Sequence, residues 1–283
     1  MTAPQPVIAT HASSAGGNWY DQHGNQIASV PKKDGAPTRP TLAHARKLDL
    51  APGVTTIIGM ADKPALTAWK MKRAAEVGRL RWYHPGGSGG HDEDTEGSEH
   101  RAWLSNCLEL AGEIGAKAAE QGTNIHAAIQ RSYQGHEFGQ TYAPHVQGVR
   151  QLLLDVSPNA GWKTEFACVS KLGYGTKADL CSYEWVVDFK GKDLGPDDIA
   201  GLEIYDEHHM QLAATRMALA DHVGQGYETA RCAIVYVSRT VPGLVHMIES
   251  KRDELARGWE MFKTLHEFWC VKNRYRPSWA TKE

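Results

Sequence analysis

Between Lys171 and Lys192 the chain reads K-L-G-Y-G-T-K-A-D-L-C-S-Y-E-W-V-V-D-F-K-G-K, a pattern that fits two short strands joined by a tight turn. Strand side chains alternate between faces, so Asp188 and Lys190 point the same way. Opposite residues of an antiparallel pair share a constant index sum. A hairpin centred between Tyr183 and Glu184 therefore sets Asp179 opposite Asp188, with Cβ atoms roughly 5 Å apart. Two carboxylates that close repel unless a divalent cation sits between them, and here a lysine stands beside them. In outline this is a metal-dependent phosphodiesterase site.

The flanking sequence supplies a setting for that hairpin. A strand is expected at Lys163 to Ser170, carrying Glu165, and a helix at about Asp206 to Asp221 with Met210, Ala213, Ala214, Met217 and Ala218 apolar. Strands at Ala230 to Ser238 and Leu244 to Glu249 follow. An amphipathic helix from about Lys251 to Lys272 closes the chain, with Trp259, Phe262, Leu265 and Trp269 on its apolar face. Strand, hairpin, helix, strand, strand, helix is an α/β (α+β) order: a mixed sheet flanked by helices.

Upstream, residues 1–50 read as a loosely structured arm, in which Trp19 and Tyr20 are candidate anchors and H-G-N at His23 to Asn25 signals a turn. Residues 51–160 read as a helical portion, and 161–283 as the core that forms one compact unit with it. In the helical portion one helix begins near Val54 with Thr55 as its cap, and another begins at Asp62 with Pro64 in its first turn and runs towards Glu76. The hydroxyls of Thr55 and Thr56 either cap or hold a phosphate. Residues 77–100 turn from basic and aromatic (Arg79, Arg81, Trp82) to glycine-rich and acidic, which suggests a mobile loop whose basic end suits a single nucleic-acid strand. A long helix over 102–134 carries an apolar stripe of Leu110, Ile114, Ala118, Ile125 and Ile129. Gly122 marks either a break in it, with Thr123 as a new cap, or a close approach, and His126 borders the stripe. A short helix before residue 160 should bury Val149, Leu152, Leu153 and Val156.

Composition excludes some classes of function. The formal charge is −2, so any positive potential for nucleic acid must be local. Five scattered cysteines without a C-x-x-C pair argue against a zinc or iron–sulfur site and suit a reducing compartment. No apolar run spans a membrane and the N-terminus lacks signal-peptide character, so a cytoplasmic protein is expected. Phosphodiester hydrolysis needs charge neutralisation, an activated water and support for the leaving oxygen. Asp179 and Asp188 suit Mg²⁺ or Mn²⁺ as hard ligands, and the Phe189 carbonyl adds an oxygen between Asp188 and Lys190. Lys190 can orient water or meet developing charge, His126 can complete the ligand shell, and Gln211 can position water or phosphate.

Taken together, these pieces resemble the PD-(D/E)XK nuclease superfamily, and within it the RecB-type exonucleases of phages, bacterial recombination complexes and mitochondrial DNA maintenance. The resemblance rests on V-T-T-I-I, K-P-A-L-T-A-W, G-T-N-I-H, E-F-A-C-V-S, G-Y-G-T-K-A-D-L, W-V-V-D-F-K-G-K and M-Q-L-A-A-T, in that order from Val54 to Thr215. It implies a restriction-endonuclease-like core and a Mg²⁺-dependent DNA exonuclease of recombination, replication or repair. Residue by residue, it implies His126, Asp179 and Asp188 as metal ligands, Lys190 as the catalytic lysine and Gln211 as its helix glutamine. Glu165 matches an acidic position on the first core strand. Partners would be a DNA strand or duplex end, with a homo-oligomer or a recombination protein as a further possibility. A catalytically inactive nucleic-acid-binding scaffold of the same fold is the alternative. The chain departs from the pattern at Thr215, where the family has tyrosine, and Tyr205 is the nearest substitute. The cysteines lack the arrangement that holds an iron–sulfur cluster in some relatives.

Overall fold

The structure, a computed structural model, describes residues 7–8, 18–61, 64–82, 93–224 and 226–282. In chain order the elements are strands β1 (Val7–Ile8), β2 (Trp19–Tyr20), β3 (Ile27–Pro31) and β4 (Pro37–Thr38), helix α1 (Leu42–Leu48), strand β5 (Ala51–Pro52), and helices α2 (Val54–Ile58), α3 (Pro64–Trp82), α4 (Glu93–Tyr133) and α5 (Ala143–Val156). Strands β6 (Lys163–Ser170), β7 (Tyr174–Cys181) and β8 (Trp185–Lys192), helix α6 (Asp206–Val223), strands β9 (Arg231–Ser238) and β10 (Val245–Glu249), and helix α7 (Arg252–Asn273) follow. Residues cluster into two compact units, Met1–Ala61 with Ile125–Glu283, and Asp62–Asn124.

The first unit is built on a five-stranded sheet in the order β10-β9-β8-β7-β6. All its pairs are antiparallel except β8 with β9, which run parallel through the α6 crossover. β8 and β9 are covered on both faces, which is why W-V-V-D-F and C-A-I-V-Y-V are near-continuous apolar runs rather than alternating ones. On one face Val186, Ile234 and Tyr174 meet Leu212, Ala213 and Ala218 of α6 and Phe262 of α7. On the other, Leu180, Val187, Ala233 and Val235 meet Val149 and Leu153 of α5 and Ile125 and Ile129 at the end of α4. The result is the α+β architecture the element order indicates.

Two hairpins set the centre of the sheet. β6 turns into β7 over residues 171–173, with Gly173 at φ +87° donating its N–H to Ser170 O at 2.9 Å. β7 turns into β8 between Tyr183 and Glu184, with Ser182 N–H on Trp185 O and the Ser182 hydroxyl accepting from the N–H groups of Glu184 and Trp185. At Gly175 a Cβ would lie 2.2 Å from Tyr20 Cγ, so glycine there admits the Tyr20 ring onto β7.

The arm expected over residues 1–50 is packed from residue 18 onward. Trp19 and Tyr20 are buried, as are Ile27, Val30, Ala45 and Leu50, and the Trp19 ring meets Trp269 edge-on at 6.1 Å. The turn at 21–25 forms, with Asp21 N–H on Asn25 O. The C-terminal segment closes over this layer. Tyr275 donates its hydroxyl to Leu50 O at 2.7 Å, Trp279 Nε1 donates to Asp49 O, and Thr281 N–H donates to Lys171 O. Polar composition hid this layer, because its burial comes from partners about 230 residues away.

Other expectations change as well. Residues 77–82 and 93–100 are helical, the ends of α3 and α4, instead of loop; Glu, Ala, Arg and Leu are good helix formers and acids suit a helix start. Residues 83–92 lie outside the described residues, as does Asp62. α4 runs unbroken through Gly122, with no described atom near its would-be Cβ, and Thr123 bonds back to Ala119 O within the helix. Ile114 is exposed while Ile125 and Ile129 are buried. In α5 Val146 is buried with Val149 and Leu153, while Val156 is exposed at the last turn. α2 starts from Gly53, with Thr55 inside the helix.

His266 of α7 is buried, stacked on Phe262 and 3.6 Å from Cys270 Sγ. Burial, helped by the nearby Arg276, drives its pKa down to about 4. The imidazole is therefore neutral when folded, while the unfolded chain protonates it near the ordinary value of about 6.5. Its stability contribution is intact above that value and is lost as pH falls towards 4. The shift is worth about 3 kcal/mol at full loss. Urea unfolding of the wild type and His266→Phe between pH 7 and 4 should show the variant losing less stability by an amount of this order.

Candidate active site

β7 and β8 pair at only two positions, Cys181↔Val186 and Leu180↔Val187. This is the expected register, but the ladder stops one step short of Asp179 and Asp188. There the Asp179 carboxylate takes over, its Oδ2 accepting the Phe189 N–H at 2.9 Å. The strands part at this point, and the candidate side chains gather in the gap. The β6–β7 ladder has a matching irregularity. Thr164↔Leu180 and Phe166↔Ala178 are paired, and the rung between them, Glu165 with Asp179, is skipped. Glu165 has φ +51°, a left-handed conformation that costs a non-glycine residue about 1–2 kcal/mol. The strained residue thus lies level with Asp179 across the sheet.

Two groups of side chains result. In the first, His126 Nε2 lies 3.0 Å from Asp179 Oδ2, and one ligand atom from each of His126, Glu165 and Asp179 falls within 4.8 Å of the others. Lys177 Nζ pairs with Glu165 Oε2. The Phe189 ring meets the His126 ring edge-on at 5.5 Å. In the second, Lys190 Nζ lies 2.7 Å from Asp188 Oδ2 and donates to Gln211 Oε1 at 3.1 Å, while Gln211 Nε2 donates to Asp188 Oδ1 at 2.6 Å. α6 provides Gln211 at its second turn, so that one amide spans both members of the pair. His126 Nε2, Glu165 Oε2 and Asp188 Oδ2 are shielded from solvent, and each meets an oppositely charged partner.

The electrostatics follow from burial opposed by these partners. For His126, burial favours the neutral ring, but the Asp179 carboxylate outweighs it and the pKa rises to about 9. Burial pushes Asp179 up, and His126, Lys190 and the Phe189 N–H together bring it below the ordinary carboxylate value. Asp188 is raised, first by burial and then by the Asp179 charge, against the pull of Lys190. Lys190 is held protonated, because Asp188 and Asp179 overcome its desolvation.

The sequence-derived residues therefore divide. His126, Glu165, Asp179, Asp188, Lys190 and Gln211 come together, and Asp188 belongs with Lys190 and Gln211 rather than with the three-residue donor cluster. Phe189 contributes its N–H and its ring to the gap. Thr215 is buried, its hydroxyl 3.0 Å from that of Thr176 on β7, so the side chain anchors α6 to the sheet. Tyr205 precedes α6, is 39 % exposed, and places its ring 5.6 Å from His208, with no hydrogen bond to the Asp188–Lys190–Gln211 group among the described residues. Thr55 is exposed and Thr56 half-buried on α2. Arg79, Arg81 and Trp82 fall on α3, and their side chains lie outside the described residues. Lys177 was missed, although strand alternation places it on the face of Asp179, two residues away.

No protein-family model matches the chain, and no curated protein sequence matches it. Among solved structures, the chain is similar to LHK-Exo in complex with dAMP at 12 % identity and TM-score 0.26, over 53 % of this chain and 83 % of that one. It is also similar to SSO0001 at 14 % identity and TM-score 0.26, over 69 % and 85 %. Likenesses this low decide nothing about the site, which stands on its own geometry.

Removing Lys190 would strand a buried carboxylate beside another. Lys190→Met should lower metal-free stability by about 2 kcal/mol, less than for a fully buried pair because the lysine is partly exposed. Adding Asp188→Asn should restore most of it. Urea unfolding in EDTA checks both.

Proposed function

We propose that this protein is a divalent-metal-dependent nuclease that hydrolyses DNA phosphodiester bonds. Action from DNA ends, as an exonuclease, is inferred from the resemblance of its motifs to the RecB-type group. The observation that carries the reading is the meeting, where β7 and β8 part, of a His–Glu–Asp donor set with an Asp–Lys pair bridged by one glutamine. Carboxylates and an imidazole are suitable donors for Mg²⁺ or Mn²⁺, and one ligand atom from each of His126, Glu165 and Asp179 lies within reach of a shared ion. His126, Glu165 and Asp179 would hold it, with Asp188 adjacent. When bound, such an ion supplies neutralisation of the scissile phosphate and acidification of water.

The chain's own groups do the rest. The Lys190 ammonium has three N–H donors, of which Asp188 and Gln211 take two; the third is left for a phosphate oxygen or the attacking water. Asp188 keeps that ammonium charged and in place. Gln211 accepts from Lys190 and donates to Asp188, so neither side chain turns without breaking a bond to the amide. Thr215, one turn further along α6, fixes the helix to β7 through Thr176 and so holds Gln211 over β8.

With end-labelled single- and double-stranded DNA and Mg²⁺, cleavage should occur and EDTA should stop it. Lys190→Met and Asp188→Asn should each lose at least ~10³-fold in rate while DNA affinity stays within a few-fold. Robust cleavage by either folded variant would overturn the assignment.

A further inference from the structure

The charges around the gap close among themselves. Each of the three carboxylates has its own cation: Asp179 has His126, Asp188 has Lys190, and Glu165 has Lys177. The first two pairs and Glu165 belong to the nuclease reading already given, whereas Lys177 has no part in it. Lys177 and Glu165 are both largely buried, with side chains 15 % and 11 % exposed. Lys177 stands opposite Ala167 in the β6–β7 ladder, two rungs from the one that the left-handed Glu165 skips, so its chain reaches along the strand to the carboxylate. Glu165 Oε2 is shielded from solvent, and Lys177 is its ion-pair partner among the described residues.

We propose that Lys177 is a built-in counter-cation of the candidate metal site: its ammonium occupies the Glu165 carboxylate and must give way when a divalent ion binds there. The proposal rests on the reading of His126, Glu165 and Asp179 as a metal-binding set. Glu165 is one of three donors crowded within 4.8 Å, so an ion among them lies beside whatever holds that carboxylate. Two like charges cannot share one carboxylate at contact distance in a poorly hydrated gap without strong repulsion. Lys177 therefore neutralises the strained Glu165 while the site is empty, and lowers the affinity for the ion that replaces it. It is a positioning residue and touches no reacting atom.

The test is Mn²⁺ binding to the full chain by isothermal titration calorimetry without DNA, comparing wild type, Lys177→Met and Lys177→Arg. A merely structural lysine would weaken binding when removed. The counter-cation role demands the opposite: Lys177→Met should bind Mn²⁺ at least about tenfold more tightly, since removing a positive charge a few ångström from a divalent ion is worth a factor of that order even at the dielectric of water. Lys177→Arg should resemble wild type. Thermal melting in EDTA should show Lys177→Met folded but less stable, and Lys177→Gln serves in its place if it does not fold. Equal or weaker binding by the neutral variant overturns the role of Lys177 and leaves the nuclease reading standing. No Mn²⁺ binding by wild type or variants overturns both.

Discussion

The site depends on one substitution of hydrogen bonds: a side-chain carboxylate takes an N–H that a backbone carbonyl would otherwise hold. Once Asp179 accepts from Phe189, β7 and β8 need not stay in ladder contact, and the sheet opens by one step at its centre. The candidate site gathers at that opening. β8 remains firmly tied to β9 by a full parallel ladder, so the parting moves β7 and β6 relative to a fixed strand. Asp188 and Lys190 are thus mounted on the rigid side, and Asp179 and Glu165 on the other.

Such a gap is expensive to populate with charge. Desolvation of three carboxylates and three cations is recovered only in part by their attractions, so these ion pairs are poor candidates for a stabilising role. A chain folding for stability alone would place valine or leucine at these positions, as it does at the neighbouring Val187 and Ile234. A left-handed glutamate within a strand adds to the cost. Local expense concentrated where the surrounding packing is regular is what makes this gap the candidate site.

Much of this was legible in the sequence, for reasons that can be named. The core strands and α6 and α7 announced themselves through apolar runs and tight turns, and an index sum fixed the β7–β8 register to the residue. Ligand chemistry and the order of the motifs brought His126 and Gln211 to the same place. What failed was whatever depends on distant partners or on broken regularity. Trp19 and Tyr20 were legible as anchors, but Leu50 and Ala45 look like loop residues until α7 and the C-terminal segment cover them. The same index-sum rule would have set Glu165 level with Asp179, but no pattern signals that its rung is skipped. Thr215 reads as a missing tyrosine, whereas in the fold it is buried with its hydroxyl on that of Thr176.

The seam between the two ends of the described chain bears on when this protein can finish folding. Tyr275, Ser278 and Trp279 cap the loop at Asp49 and Leu50, and Thr281 ties down the turn that joins β6 to β7. During synthesis the early strands leave the ribosome long before residues 275–281 exist, so Trp19 and Leu50 must wait with their apolar surface uncovered. At about 5–20 residues per second that interval is on the order of ten seconds or more, a window in which a chaperone has time to act and an aggregate has time to start.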